Sequence, residues 1–556
     1  MISEPLFQDN IISTILRNFK FYFFDRPWYI YAAATLVLLY LFYFLIRWRN
    51  PVRCPNLFPE AAAAFDRRST ADKAALAFLA AVISAYAGVI YSLDDTLFNN
   101  YDLMSVNTIF TFHRGLNAYY NITRLCPVSF FDLNLIYAVS HNFSIINLFI
   151  IAKQILIAWL LYRFLDFLAP ARRLLAISLI MMIPAVFWLN NIIFAEQNIL
   201  IFILTSLIFV RKFSRTGRYS SLWWFSVFTL LAVFTKETAV VFYGGLLAFA
   251  VLQDIFQEKI NFSNIFRPIR LARSLPLESM LFFCCLAFAV FYLFVVVELD
   301  ENIYSLPRVR SFSYLFSLYK VEIILTVLAW LTVAGKIIRK ESFNGALFNE
   351  GLLFAGTCVL AHIVFFLRLA PELEHVAYKS YYIVLTDVFS LIYLARNTGG
   401  RTIPALLACC VLGASVFLNA AVYKHENGRS YREAAEFFAR DIRNGKSLSI
   451  MFSPLTEDSD WVRENWGSAL MYYFPGADIT FKFPTISEDN KSNRLTLWIY
   501  KQMEGALAKI KGESKPVSGD YYIIKKGRAD IDHVHLSILP HELVFENKLF
   551  RIYKIK

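Results

Sequence analysis

The chain has 556 residues, of which 57% are hydrophobic, 17% aromatic and only 18% charged. A soluble protein of this size cannot bury so much apolar surface, so the composition excludes an ordinary soluble globular protein and indicates a membrane protein. The net charge of +12 requires no nucleic-acid partner, because most of the excess lies in loops that anionic membrane lipid would neutralise. The seven cysteines show neither a disulfide framework nor zinc spacing.

Long apolar runs recur along the first three quarters of the sequence, each near the roughly 20 residues that a helix needs to cross a bilayer. They predict about twelve transmembrane helices. The predicted spans are 28–46, 74–91, 142–162, 174–190, 193–210, 220–235, 238–253, 277–297, 319–335, 349–367, 380–395 and 403–420. Residues 5–24, which contain Arg17 and Lys20, are better suited to a surface helix.

The distribution of positive charge predicts the orientation. If residues 47–73 face the cytoplasm, the cytoplasmic segments together hold 22 lysines and arginines, against 7 in the loops on the other side. This bias is the one that cytoplasmic loops normally carry. It places loop 92–141, the corner at Lys236 and all residues after 420 outside the cytoplasm.

The pattern changes after residue 420, where helical and strand-like segments alternate. Helices are predicted at Ser430–Arg443 and Trp461–Phe474, and strands at Ser447–Phe452, Tyr521–Lys525 and Leu549–Tyr553. This segment is long enough for one small domain. The predicted fold class is therefore a polytopic α-helical membrane protein with a C-terminal soluble α/β domain.

The second predicted span is followed by two adjacent carboxylates, Asp94 and Asp95, with Asn99, Asn100 and Asp102 close behind. Two ionised carboxylates beside lipid are costly and need compensation. One of them could be a general base that deprotonates an acceptor hydroxyl, while its neighbour orients it or binds a cation. The alternative is a solvated acidic turn at a helix end, which is common in proteins.

Three further polar segments fall on the same predicted side of the membrane. Lys236 is followed by Glu237 where two spans meet, and the pair could bind a lipid phosphate, with Glu237 orienting the lysine. Glu196 begins another span, where a carboxylate also simply favours a helix N-terminus. Arg124 lies in the long outer loop, and His141 opens the next span. Each segment alone is also compatible with a solvated helix corner.

The order of these segments resembles the GT-C superfamily of multi-spanning glycosyltransferases, especially its protein O-mannosyltransferase-like branch. The matching features are the Asp94–Asp95 pair with Asn99–Asn100, the segment Arg124-Leu-Cys-Pro127, His141-Asn142, the Glu196 corner and Lys236-Glu237. The resemblance covers roughly residues 74–396. An additional span precedes the acidic pair, and the tail is neither a tetratricopeptide array nor a β-trefoil, which leaves the acceptor open.

The resemblance implies a donor sugar carried on a polyprenyl phosphate and transferred to a lipid, glycan or protein acceptor. Asp94 or Asp95 would then be the base, and Arg124 and Lys236 would bind the donor phosphate. The pocket would be shaped by Glu196, Glu237, Asp102 and His141. A late outer loop adds Arg368 and Lys379, which could close on the donor, although each is also compatible with a solvated loop.

The resemblance also implies a division of the chain into three parts. Residues 1–73 would hold the surface helix, an extra span and a cytoplasmic loop. Residues 74–420 would form the GT-C-like catalytic domain with outer loop 92–141, and residues 421–556 an extracytoplasmic α/β domain. The expected enzyme is an inverting hexosyl- or pentosyltransferase of a bacterial inner membrane and cell envelope.

Metal dependence is open at this stage. Glu298, Asp300 and Glu301 could join Asp94 or Asp95 around a divalent cation, but the nearby Arg308 and Arg310 favour a charge-balanced loop. No metal ligand is assigned.

Two other functions compete with the enzyme. One is a transporter or flippase of lipid-linked glycans, which would place its polar residues near the membrane midplane. The other is a non-catalytic membrane scaffold. An enzyme requires the Asp94–Asp95 pair, Arg124 and the Lys236–Glu237 corner to meet in one outward-facing cavity.

Overall fold

The structure is a computed structural model that describes part of the chain. The described residues are 65–66, 68–92, 132, 136, 143–189, 195–256, 275–296, 320–341, 346–367, 383–397, 402–452, 479–482, 510–511, 517–526 and 540–556. They divide into two compact units. One, the helical unit, comprises the described residues of 65–88 and 132–418; the other, the sheet unit, comprises those of 89–92 and 419–556.

The helices follow one another along the chain, and a connection that is itself described throughout is short. They are α1 (Thr70–Ser92), α2 (Phe143–Phe164), α3 (Pro170–Met182), α4 (Pro184–Trp188), α5 (Glu196–Thr216), α6 (Tyr219–Thr235), α7 (Glu237–Phe256), α8 (Pro276–Val296), α9 (Lys320–Ile338), α10 (Glu350–Ala361), α11 (Val384–Asn397) and α12 (Thr402–Arg443). A 3₁₀ turn at Ala346–Phe348 precedes α10, and a π turn at His362–Leu367 follows it.

Three described helices are long and apolar enough to cross a membrane; their apolar segments are Thr70–Ile90, Asn147–Phe164 and Glu237–Ile255. Shorter apolar segments are Tyr219–Thr235, Pro276–Val290, Glu350–Phe365 and Ile403–Asn419. Large apolar side chains such as Trp159, Leu331 and Val411 remain exposed on the helices. Because water would penalise such surfaces and lipid would not, the helical unit is that of an integral membrane protein.

Span 28–46 lies outside the described residues, and the other predicted spans overlap helices of the structure. Two predictions need correction. The span predicted at 174–190 is two helices, because Pro184 lacks a backbone N–H and Ile183 before it adopts an extended conformation with φ −64° and ψ 138°. The span 403–420 and the helix Ser430–Arg443 are one continuous helix, α12.

Small residues allow α10 to pack closely against its neighbours. A Cβ atom added to Gly245 of α7 would lie 3.1 Å from both the Ala355 Cα and the Cys358 Sγ atoms of α10. On the other side of α10, a Cβ at Gly356 would lie 3.2 Å from the Thr386 Cα atom of α11. The Thr386 hydroxyl donates a 2.6 Å hydrogen bond to the Gly356 carbonyl. Close backbone approach through small residues is a common way for membrane helices to pack.

Asp387 on α11 is the least compensated carboxylate among the described residues of the helical unit. Its side chain is fully buried, and neither oxygen has a hydrogen-bond partner. The Glu322 carboxylate of α9, also buried, lies within electrostatic reach. By contrast, the half-buried Asp166 forms ion pairs with Arg211 and, at 3.5 Å, with Arg215.

These two aspartates give opposite expectations for stability. Asp387→Asn removes the cost of burying a carboxyl group beside Glu322 without losing a hydrogen bond, so we expect it to raise the free energy of unfolding by about 1–3 kcal/mol. Asp166→Asn removes the counter-charge of two arginines and should lower it by about 1–3 kcal/mol. Thermal unfolding of the purified variants in detergent measures both effects. A loss for Asp387→Asn equal to that for Asp166→Asn would contradict the assignment.

The sheet unit contains one six-stranded sheet with strand order β3-β2-β1-β4-β6-β5. The strands are β1 (Leu448–Phe452), β2 (Ile479–Lys482), β3 (Ile510–Lys511), β4 (Tyr521–Lys525), β5 (His541–Glu546) and β6 (Phe550–Ile555). The first four are parallel, and β6 pairs antiparallel with both β4 and β5. Strands thus occur at the three sites where the sequence predicts them. The helix predicted at Trp461–Phe474 lies outside the described residues.

A side-chain hydrogen bond joins the C-terminal end of α12 to this sheet. The Tyr521 hydroxyl of β4 donates a 2.5 Å hydrogen bond to Asp441, which also accepts one from Lys446 at 3.0 Å. The hydrogen bond from Tyr521, and then the Lys446 ammonium, hold the pKa of the Asp441 carboxyl below its usual range. Burial and the contact with Asp441 raise the pKa of Tyr521.

Because the pKa of Asp441 is lower in the folded state, its ionised form stabilises the fold above the unfolded value of about 3.9. This contribution is lost as the pH falls through the folded pKa. We therefore expect Asp441→Asn to lower stability by about 0.5–1 kcal/mol at pH 7, and the difference from wild type to shrink below about pH 3.9. Thermal unfolding measured across this pH range tests the expectation.

The matched control is Glu433→Gln on the same helix, because Glu433 forms an exposed 2.8 Å ion pair with Arg429. Such a pair contributes only about 0.3–0.5 kcal/mol. A pH-independent difference between Asp441→Asn and wild type would show that ionisation of Asp441 is not the cause.

Candidate functional site

The candidate site lies at the N-terminal ends of α5 and α7, where the sequence places Glu196 and Lys236. Lys236 follows the last residue of α6, and its extended backbone, with φ −167° and ψ 149°, separates α6 from α7. Glu196 is the first residue of α5. The two residues are 40 positions apart in the sequence, but the α5–α6 hairpin brings their side chains together.

Lys236 and Glu196 form a buried ion pair in which the Lys236 ammonium donates to the Glu196 carboxylate. The two side chains are 10% and 3% exposed, so neither charge is solvated to any large extent. The sequence suggested the adjacent Glu237 as the group that orients Lys236; the ion pair in the structure comes from Glu196. A buried charge pair among membrane helices is costly unless its geometry is good, and such pairs commonly mark functional sites.

Glu237 begins α7, and its carboxylate lies within electrostatic reach of His362, at the start of the π turn after α10. This π turn interrupts the regular helix at its end. Single π turns of this kind often occur at functional positions. His362 was not among the residues that the sequence predicted for the site.

A second polar contact involves the same first turn of α5. The Asn198 amide donates a 3.0 Å hydrogen bond to Asp132, and the Lys153 ammonium of α2 donates to the same carboxylate at 2.6 Å. Residues 196 and 198 point to different sides of a helix, so α5 presents Glu196 to Lys236 and Asn198 to Asp132. Asp132, Lys153 and Asn198 were not predicted from the sequence.

A sequence signal for Lys153 exists. Lys153 and Gln154 are polar residues in the middle of an otherwise apolar span, and both are buried. Ionisable residues within membrane helices are a default indication of function or of a specific partner. Asp132 falls in the stretch 92–141 that the sequence predicts as a loop, where a polar residue carries no comparable signal. In the structure Asp132 is helical.

The remaining predicted site residues lie outside the described part of the chain. They are Asp94, Asp95, Asp102, Arg124, His141, Arg368 and Lys379, together with the acidic cluster Glu298, Asp300 and Glu301. Their roles stay predictions. Within the described residues, no group of three or more histidine, cysteine, aspartate or glutamate side chains could hold a metal ion.

The arrangement can bind an anion next to the membrane boundary. The Lys236 ammonium lies just before α7, close to the start of α5, and Glu196 fixes its position. Such a pre-positioned lysine suits a phosphate group better than a flexible lysine at the surface does.

Comparison with known proteins gives little further guidance. No family model and no curated protein matches the chain. Among solved structures, the chain is similar to ArnT from Cupriavidus metallidurans in the apo state, with 11% sequence identity, 86% of this chain and 98% of that chain covered, and a TM-score of 0.47. This agreement is below the level that shows a common fold, so the similarity assigns no function to this chain.

A double-mutant cycle tests the buried pair. We expect Glu196→Gln to lower the free energy of unfolding by about 3–5 kcal/mol, because it leaves the Lys236 ammonium buried without this counter-charge. The double variant Glu196→Gln/Lys236→Met should recover most of that loss, since both charges are then gone. Chemical unfolding in detergent provides the four values. Additive losses in the double variant would contradict a direct ion pair.

Proposed function

We propose that this chain is a membrane glycosyltransferase of GT-C type that takes its sugar from a polyprenyl-phosphate carrier and transfers it to an acceptor hydroxyl. The observation that carries the proposal is the buried Lys236–Glu196 ion pair at the start of α5 and α7. It lies at the helix ends that the charge distribution predicts to face away from the cytoplasm. The sequence places Asp94 and Asp95 on that same side.

A lipid carrier suits an enzyme that works on this side of the membrane. Soluble activated sugars are made inside the cell, so a donor at the outer surface is best supplied on a lipid that has already crossed. Its phosphate would stay near the head groups while the polyprenyl chain occupies lipid. A phosphate at that depth needs a cation within hydrogen-bonding distance, and the buried Lys236 is suited to this role.

The proposed reaction is a displacement at the anomeric carbon. The acceptor oxygen forms a bond to this carbon as the bond to the carrier phosphate breaks, and polyprenyl phosphate leaves with the electron pair. Asp94 or Asp95 accepts the proton of the acceptor hydroxyl. Lys236, together with Arg124, stabilises the charge that develops on the phosphate oxygen. Attack from the face opposite to the leaving group inverts the configuration.

The other predicted residues have supporting roles in this proposal. Glu196 fixes the Lys236 ammonium, and Glu237, Asp102 and His141 shape the pocket. Arg368 and Lys379 would contact the donor from the late outer loop. A divalent cation held by the outer carboxylates is compatible with the proposal but is not required, because the leaving phosphate already has cationic partners. The transferred sugar is a hexose or a pentose, and the acceptor is a lipid, a glycan or a protein.

The test is transfer of radiolabelled sugar from polyprenyl-phosphate donors by membranes that contain the wild type, Asp94→Asn, Asp95→Asn or Lys236→Ala. Loss of the general base should reduce transfer by about 10²–10⁴-fold in one aspartate variant and much less in the other. Lys236→Ala should reduce both transfer and retention of the carrier. Lys212→Ala, an exposed lysine at the opposite end of α5, is the matched control and should keep full activity.

Carrier binding separates the enzyme from its alternatives. If folded wild-type protein binds polyprenyl phosphate but transfers no sugar from any donor, the protein is a transporter or a scaffold. If transfer occurs but survives both aspartate substitutions, the base has been assigned to the wrong residues.

A further inference from the structure

The opposite end of the helical unit carries a concentration of arginines that the proposed reaction does not use. Arg163 lies in the last turn of α2, Arg211 and Arg215 in the last two turns of α5, and Arg396 in the last turn of α11. Arg163, Arg215 and Arg396 all lie within electrostatic reach of Arg211. These four residues are the arginine cluster.

The centre of the cluster is held by the end of α2 and the turn after it. Arg211 is buried, donates a 2.9 Å hydrogen bond to the Phe164 carbonyl and pairs with Asp166. The Phe167 ring contacts two guanidinium groups, at 5.8 Å from that of Arg211 and 5.4 Å from that of Arg396. The guanidinium groups are therefore fixed by carbonyl, ring and carboxylate contacts rather than free to move apart.

Two carboxylates, Asp166 and Glu350, lie among the arginines of the cluster. Asp166 is the carboxylate that pairs with Arg211 and, at 3.5 Å, with Arg215. Glu350, near Arg396, already accepts from Lys336 at 3.4 Å and from the Tyr393 hydroxyl at 3.0 Å. The arginines carry like charges that repel one another, so an anion that contacts several of them at once is attracted to the cluster.

A ligand can reach the cluster from the surface at Arg163 and Arg215. Arg163 is exposed, and the Arg215 side chain is 38% exposed. The apolar segment of α2 ends at Phe164, so Arg163 stands where a membrane helix leaves the hydrocarbon region. Arginine supplies the forked donors that fit a phosphate group.

An apolar stripe leads along α2 to the same place. Leu148, Ile155, Trp159 and Arg163 follow one another at intervals of seven, four and four residues, so they lie on one face of the helix. The three apolar members are exposed, Trp159 by 55%. An exposed apolar stripe that ends in a tryptophan and then an arginine matches the order of acyl chain, interface and head group in a lipid.

We propose that the arginine cluster binds the phosphate head group of an anionic phospholipid whose acyl chains lie along the Leu148–Trp159 face of α2. The stripe favours a lipid over a soluble phosphate, because a soluble phosphate would gain nothing from the apolar side chains. This site is separate from the donor site. The proposal that it binds a phospholipid does not depend on the proposed glycosyl transfer.

The test uses the purified full chain in a neutral detergent, titrated with phosphatidylglycerol or phosphatidylcholine and followed by native mass spectrometry. A cation near an anionic head group contributes roughly fivefold to affinity, so Arg163→Gln/Arg215→Gln should weaken binding of phosphatidylglycerol about thirtyfold. The matched control, Lys212→Gln/Arg339→Gln, removes two exposed cations from the same end of the bundle and should weaken it less than about threefold. Arg163→Lys/Arg215→Lys keeps both charges and should stay within about fivefold of wild type.

Two further measurements distinguish a lipid head group from a soluble phosphate. Phosphatidylglycerol should raise the unfolding temperature of the wild type, whereas inorganic phosphate at matched ionic strength should not. Trp159→Ala should weaken phosphatidylglycerol binding, which a purely ionic attraction would not show. The proposal is overturned if the Arg163→Gln/Arg215→Gln variant and its Lys212→Gln/Arg339→Gln control lose the same affinity for phosphatidylglycerol. It is also overturned if the wild type binds phosphatidylcholine as tightly as phosphatidylglycerol, or if inorganic phosphate raises its unfolding temperature as much as phosphatidylglycerol does.

Discussion

Charged side chains inside a bundle of membrane helices are stable only where a partner of opposite charge or a hydrogen-bonding group is within reach, because lipid offers neither. Helix α5 shows how the chain meets this constraint. Its N-terminus carries Glu196, paired with Lys236, and its C-terminal turns carry Arg211, paired with Asp166. The negative charge at the N-terminus and the positive charge near the C-terminus are also the ones that the helix dipole favours. The ion pairs join α5 to α6 at one end and to the turn after α2 at the other, while apolar contacts fill the space between.

The sequence predicts the helices of the bundle well, because a run of about 20 apolar residues has few alternatives to a membrane helix. It fails where a local feature overrides composition. The run 174–190 is apolar throughout, but Pro184 divides it into α3 and α4. At α12 the opposite occurs. The composition changes near residue 420, but the helical backbone continues to Arg443, since neither glycine nor polar residues there are sufficient to end a helix.

The candidate site is predictable only in part. Lys236 and Glu196 stand out as charges at the ends of apolar runs, but nothing in the sequence says that they pair with each other, because that contact depends on the α5–α6 hairpin. Lys153 is visible as a charge within a span, whereas its partner Asp132 is one polar residue among many in a segment that the sequence predicts as a loop. The sequence thus identifies charges that need partners, and the fold decides which partners they receive.

The strand order has a consequence for biosynthesis. β6 is the last strand in the sequence, but it lies between β4 and β5, and β5 pairs with β6 alone among the described strands. A chain that ends before residue 550 therefore contains β5 without its partner, and the backbone groups of β5 are then unpaired on both edges. The sheet is completed only after residues 550–555 have been translated, when the membrane helices have long been available for insertion. Premature termination shortly before β6 would leave an inserted bundle that carries an open, aggregation-prone strand edge.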